Sequence, residues 1–125
     1  NAGVGNCGNG GQPETLYQTF AKQIFVLPDD TDIYPGHDYI INNLQFTLDR
    51  EPNNAAAKSL LVAMQQWQEG PHFISNIAME RMVNSFFRLD NSETIELLRQ
   101  RYPEMPDSPS QESVFLKLRE LRNSW

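Results

Sequence analysis

The chain has one cysteine, Cys7, and two histidines, His37 and His72. A single thiol forms no internal disulfide and fits a reducing compartment, so a cytoplasmic protein is expected. Zinc takes three or four ligands, and these three side chains stand with no metal-like spacing. The residues alone therefore give no complete metal site. Basic residues are scarce as well: 10 Lys and Arg stand against 16 Asp and Glu, a net charge of −6. Nucleic-acid binding needs a basic surface to displace counterions, so that class is excluded. No apolar run nears the ~20 residues that cross a bilayer, which excludes a membrane-spanning helix. No signal-peptide pattern is visible either.

What remains is 125 residues, 39% hydrophobic, enough to bury one core. The chain has no initiator methionine and opens in Ala2-Gly3-Val4-Gly5, which reads like the end of a strand. We expect the C-terminal portion of a longer protein, with Asn1-Ala2 native or left by a cleaved tag.

The organising stretch is Thr31–Tyr39, T-D-I-Y-P-G-H-D-Y. A short strand, Thr31–Tyr34, stops at Pro35-Gly36, where the chain turns sharply. The turn delivers His37, and a helical pattern follows over Asp38–Arg50. A histidine fixed at a strand end suits a ligand or a base. By itself, though, a histidine in a turn is more often a surface or hydrogen-bonded residue, and on the residues alone that plainer reading wins.

Elsewhere the periodicity predicts helices. Pro13–Leu27 starts with proline at its first position and repeats Leu16, Phe20, Ile24 and Leu27 on one face. Ile40, Leu44 and Leu48 make the stripe of the helix after His37. Pro52-Asn53-Asn54 breaks that helix and caps Ala55–Trp67, with Leu60, Met64 and Trp67 inward. Glu69–Phe73 is a loop and the best internal boundary. Ser75 is the expected cap of the segment Ile74–Asp90, in which Phe86 and Phe87 anchor a turn. Ser92–Arg101 turns Ile95, Leu98 and Tyr102 inward. After a proline-rich connector, Ser108-Pro109-Ser110-Gln111 offers a capping box for the last helix, Ser110–Asn123.

Two stretches invite chemistry. Gly3, Gly5 and Gly8 satisfy G-x-G-x-x-G, but no strand precedes them in this chain and no helix starts before Pro13; a flexible glycine loop is the better reading. In the last helix Val114, Leu118, Leu121 and Trp125 share a face, with Phe115 at its edge. Arg119 and Arg122 lie beside that apolar stripe, where a charge needs a partner. A pair of guanidiniums one turn apart makes a fork for carboxylates. The same placement suits a structural salt bridge to one of the chain's own acids.

The run L-P-D-D-T-D-I-Y-P-G-H-D-Y-I-I-N-N-L-Q-F-T-L-D-R-E-P-N-N, from Leu27, resembles the C-terminal metal-binding motif of metallo-β-lactamase-fold hydrolases of the hydroxyacylglutathione hydrolase (glyoxalase II) type. Ser75–Arg88 resembles that family's T-L-A-x-E-x-x-x-N-P-F-x-R, with Ser85 in place of proline. F-L-K-L-R-E-L-R-N resembles its final helix. The resemblance covers nearly the whole chain.

It implies a mainly α fold with a small β element. Residues 1–69 would be the C-terminal part of the αββα sandwich, and 70–125 a helical substrate-binding domain. It further implies that His37 is a metal ligand and that Asp38 steadies it from behind. Tyr39, Arg119 and Arg122 would hold the substrate. The cofactor implied is zinc in a two-metal site, with iron or manganese in some members, and the substrate is a small thioester, typically an acylated glutathione. Most ligands are missing, so these 125 residues by themselves are expected to be inactive. Where classical members carry a lysine and a tyrosine that hold glutathione, this chain has Asn6 and Gly8, which leaves room for another thiol carrier. Persulfide dioxygenase or lactonase chemistry is the rival on the same fold; dioxygenases typically end soon after the Y-P-G-H-D-Y motif, so Ile74–Trp125 favours the thioesterase. A rival of another kind is a non-catalytic helical module whose arginines bind an acidic partner. Apolar surface left uncovered would favour a homodimer.

Overall fold

The computed structural model describes residues 1–67 and 70–125. Along them run α1 (Pro13–Thr19), a π-helical turn (Phe20–Ile24), β1 (Asp32–Ile33), α2 (Ile40–Leu48) and α3 (Ala55–Gln65). Then come β2 (Ser75–Asn76), α4 (Ile77–Val83), a 3-10 turn (Ser85–Phe87), α5 (Ser92–Arg101) and α6 (Gln111–Asn123). The fold is mainly helical with a small sheet, as the sequence implies. Glu69, the start of the expected boundary loop, lies outside the described residues. β1 and β2 pair antiparallel, Asp32 opposite Asn76 and Ile33 opposite Ser75, so four residues tie the Pro35–His37 turn to the start of α4.

α2 is buried on two sides and separates two cores. Ile40 and Leu44 face Ala57 and Met64 of α3 and Val83 of α4. Two to six residues on, at 100° per residue, Phe46 points the other way and joins Phe86, Leu98, Met105, Val114, Phe115 and Leu118. Burying a side chain such as Phe46 contributes about 1.5–3 kcal/mol. The expected stripe of Ile40, Leu44 and Leu48 therefore holds for one side of α2 and omits Phe46.

Short polar side chains start α3, α4, α5 and α6. Asn54, Asn76 and Asn91 each accept from the backbone N–H three residues on, at 2.9 Å, each cap worth roughly 1 kcal/mol. Two expected caps are corrected. Asn76, not Ser75, caps α4; Ser75 pairs in β2 and spends its hydroxyl on Glu80. Ser110, not Ser108, caps α6 by accepting from Ser113 N at 3.2 Å, while Gln111 reaches Asp90 Oδ2 at 2.7 Å.

The first helix is also shorter than its periodicity predicts. α1 ends at Thr19, and a π turn follows in which Phe25 N donates to Phe20 O at 2.8 Å. The extra residue in that turn brings Phe25, rather than Ile24, against Phe20 and Phe87, with ring centroids 5.7 and 5.0 Å away. Trp67 and Trp125 do not end up inside: they are 53% and 41% exposed. α3 stops at Gln65, before Trp67 could face inward. Trp125 follows α6 and lies edge-on to Phe46, centroids 5.4 Å apart.

Candidate functional site

The N-terminal segment is held from several directions. Asn1 Nδ2 donates to Phe73 O at 2.6 Å, and Asn43 Nδ2 donates to Asn1 O at 3.0 Å. The amide of Ala2 donates to both oxygens of Glu80, at 3.1 and 2.9 Å, and Asn84 Nδ2 donates to Gly3 O at 3.0 Å. Ala2 sits at φ +52°, the left-handed region, which costs a residue with a Cβ about 1–2 kcal/mol. At Gly3 a Cβ would lie 2.7 Å from Asn43 Nδ2, so any side chain there would have to displace that carboxamide.

Arg119 approaches this segment from α6. It is 5% exposed. Its Nη1 donates to Gly5 O at 3.2 Å and its Nη2 to Asn123 Oδ1 at 2.7 Å. Its Nε has no hydrogen-bond partner among the described residues. Burial pulls this guanidinium below the ordinary arginine pKa; the Cys7 thiol raises it and Arg122 lowers it again. One turn later, Arg122 Nη2 donates to Asn43 Oδ1 at 3.4 Å. Its guanidinium lies 5.5 Å from the Phe46 ring and 5.2 Å from that of Trp125. On the ring of Phe46 also rests Arg50, 3.9 Å from the centroid. Burial lowers the pKa of Arg50; Asp49 raises it, and Arg101 and Arg122 lower it further. The expected alternative, a salt bridge to the chain's own acids, does not form: among the described residues neither Arg119 nor Arg122 makes an ion pair.

These groups open on a cavity of about 520 Å³. Its lining includes residues 2–5, Asn6, Gly8, Asn43, Phe46 and Phe86, together with His37, Tyr39, Arg119 and Arg122. Four of the five residues singled out by sequence thus meet around one space. The rings of His37 and Tyr39 stack, 5.3 Å apart and 26° between planes. Asp38 turns away: its carboxylate lies 3.9 Å from His72 Nδ1, both side chains exposed. Asn6 has its Oδ1 occupied by Gly8 N at 2.7 Å, which leaves its NH₂ as the group offered outward. Sequence reasoning missed Asn43 and Asn123, the amides that steady the two arginines. The doublet Asn42-Asn43 inside an otherwise apolar helix was the available signal.

As a metal centre the donor set is incomplete. No cluster of three or more His, Cys, Asp or Glu side chains suited to a metal occurs among the described residues. One imidazole does not meet zinc's need for three or four ligands.

Residues 38–125 match the family model described as hydroxyacylglutathione hydrolase C-terminus. The chain belongs to this family. The match begins one residue after His37. Relatives extend it over the glycine loop and the turn. The hydroxyacylglutathione hydrolase of Nitrosococcus oceani is 54% identical over all 125 residues, and that of Polaromonas sp. 51%; in each the chain corresponds to 48% of the relative. The cytoplasmic hydroxyacylglutathione hydrolase of Arabidopsis thaliana is 34% identical over 104 residues, 80% of this chain and 40% of that protein. The chain therefore spans about half the length of these hydroxyacylglutathione hydrolases and corresponds to their C-terminal part. Among the described residues no helix is long and apolar enough to cross a membrane.

Proposed function

We propose that this chain is the carrier-binding part of a metal-dependent thioester hydrolase whose substrates are acylated thiols of the glutathione type. The observation that carries this reading is the pair Arg119 and Arg122. Both line the cavity, one is nearly fully buried, and among the described residues neither makes an ion pair. A buried guanidinium without a counter-charge is costly, and an anionic ligand supplies that charge. The carboxylates of a thiol carrier fit the fork that two arginines present. Tyr39 offers a hydroxyl at the same cavity, and Asn6 a carboxamide NH₂ in place of a cation. His37 would mark the end of the cavity where the thioester carbonyl lies.

The metal proposed is zinc, in a two-metal site to which this chain gives one imidazole, the other ligands coming from outside these 125 residues. The chemistry such a metal supplies when bound is an activated water. We assign residues 1–69 to the domain that carries the metal and 70–125 to the domain that grips the carrier. The arginines act in binding and orientation, so they serve proximity rather than the bond-breaking step.

The test is turnover of an acylated glutathione, beside other acyl thioesters, by the protein at the length of its relatives. Activity that disappears with His37→Ala is expected, as is no turnover by the 125 residues alone. Comparable rates from the 125 residues alone, or a His37→Ala variant with unchanged activity, would overturn the reading. Binding of an acidic partner that ignores His37 would favour the non-catalytic module instead.

A further inference from the structure

Glu80 is 2% exposed and, among the described residues, forms no ion pair. Its oxygens accept from three groups instead: Ser75 Oγ at 2.6 Å, Asn84 Nδ2 at 2.8 Å, and the Ala2 amide at 2.9 and 3.1 Å. Burying a carboxylate without a cation is expensive unless every oxygen is hydrogen-bonded. A glutamate used only to fill the core would be better replaced by an apolar residue, so its retention points to the geometry it imposes. That geometry is the bend at Ala2 and Gly3. Glu80 takes the Ala2 amide and Asn84 takes the Gly3 carbonyl. Between them they hold an alanine at φ +52°, a conformation that residues with a Cβ rarely adopt. Two residues further on, Gly5 O receives Arg119 Nη1.

We propose that Glu80, acting with Asn84, is a positioning residue for the cavity: it fixes the bend at Ala2, and through the Gly5 carbonyl sets the direction of Arg119. Glu80 touches neither cavity nor ligand. Its effect is on how well an anionic carrier is gripped, and in that respect the inference rests on the function proposed above. Glu80→Gln keeps the shape but turns one acceptor into an NH₂ that faces other donors. In either orientation of the new amide the Ala2 N–H loses one of its two acceptors and the negative charge that drew it, and the strained bend relaxes.

The experiment uses the protein at the length of its relatives, as wild type, Glu80→Gln, and Glu80→Gln combined with Ala2→Gly. Two quantities are read: hydrogen exchange of the Ala2–Gly5 amides, and KM and kcat for an acylated glutathione. In Glu80→Gln, exchange at Ala2–Gly5 should quicken about tenfold or more while α5 and α6 keep their protection. KM should rise about tenfold with kcat changed less than about threefold. Ala2→Gly removes the cost of the left-handed backbone and should return KM to within about threefold of wild type. Uniform loss of protection across the molecule, or a raised KM with an equally reduced kcat and no rescue, would mean that Glu80 is merely structural. A local loosening with KM unchanged would also overturn the proposal. A wild type that turns over no acylated glutathione would count against the hydrolase reading alone, and the exchange data would still decide whether Glu80 holds the bend.

Discussion

Arg88 donates through Nε to Glu51 Oε2 at 2.7 Å, joining the turn after the 3-10 segment to the turn after α2. Glu51 is 1% exposed and is also reached by Asn54 Nδ2 at 3.0 Å and Thr94 Oγ1 at 3.3 Å. It therefore links α2, α3, Arg88 and α5 in one buried polar junction. Taking the cation from an enclosed carboxylate leaves a buried charge uncompensated, at a cost of about 3–5 kcal/mol. Arg88→Ala should lower stability by that order in a denaturant titration, because Glu51 is the enclosed partner. Glu51→Ala should cost less, because the guanidinium it releases is partly exposed and can be hydrated. Equal losses, or none for Arg88→Ala, would refute the junction as described.

Arg122 and Arg119 should separate under mutation although one turn divides them. Arg122 is only half-buried and held by an amide and two rings, so Arg122→Gln should leave folding nearly intact. Loss of a charged hydrogen bond, about 1.5–3 kcal/mol, would raise KM for an acylated glutathione by roughly tenfold or more with little change in kcat. Arg119 is nearly fully buried and bonded to Gly5 and Asn123, so Arg119→Gln should both weaken binding and lower Tm. Steady-state kinetics beside a thermal melt distinguishes the two patterns.

Phe46 offers a cleaner probe of how Arg122 is held. Its ring is shared by Arg50 at 3.9 Å and Arg122 at 5.5 Å, from a side chain that is itself core. Phe46→Leu keeps the position apolar but removes three carbons from a buried ring, a loss of about 1–3 kcal/mol. It removes cation–π contacts worth about 0.5–2 kcal/mol. KM should therefore rise about threefold or more while the protein still folds. An unchanged KM would show that the ring only fills space.

These arginines were partly legible in the sequence. Their spacing beside Val114 and Leu118 set them on the apolar side of α6, and the structure puts them against one cavity with His37 and Tyr39. Whether an acid of the chain would neutralise them could not be read, because an ion pair depends on long-range placement that periodicity does not encode. The two faces of α2 were hidden for a related reason: one stripe at helical spacing describes one neighbour, and α2 has two. Trp67 was misjudged because α3 ends at Gln65, and helix ends are the least certain part of a periodic reading. Glu51 and Glu80 fall inside the stretches that resemble the family's motifs, but their burial could not be read, since a buried acid and a solvated one are the same letter.

Ser85 makes a prediction in the stabilising direction. It is fully buried, its Oγ has no partner among the described residues, and its amide only reaches Thr47 Oγ1 at 3.4 Å. It begins the 3-10 turn, and Asn84 before it is extended at ψ 112°, a conformation that tolerates a following proline. Ser85→Pro should remove an unsatisfied hydroxyl and restrict the unfolded chain, a gain of about 1 kcal/mol. That corresponds to a Tm rise of about 4 °C. A lowered Tm would mean that the weak Thr47 contact matters more than the orphaned oxygen.

Asn54 and Asn84 each cap a helical turn with Oδ1 while Nδ2 donates to a buried glutamate, Glu51 in one case and Glu80 in the other. Aspartate caps as well as asparagine, yet here it would set a second negative charge against an enclosed one. Slow hydrolysis of either side-chain amide, the commonest chemical ageing of asparagine, would thus replace a donor with a repelling acid while leaving size and shape almost untouched. At Asn84 the injury would fall on the bend beneath the cavity, so under the function proposed above a stored sample would lose its grip on an anionic ligand while much of its fold survived.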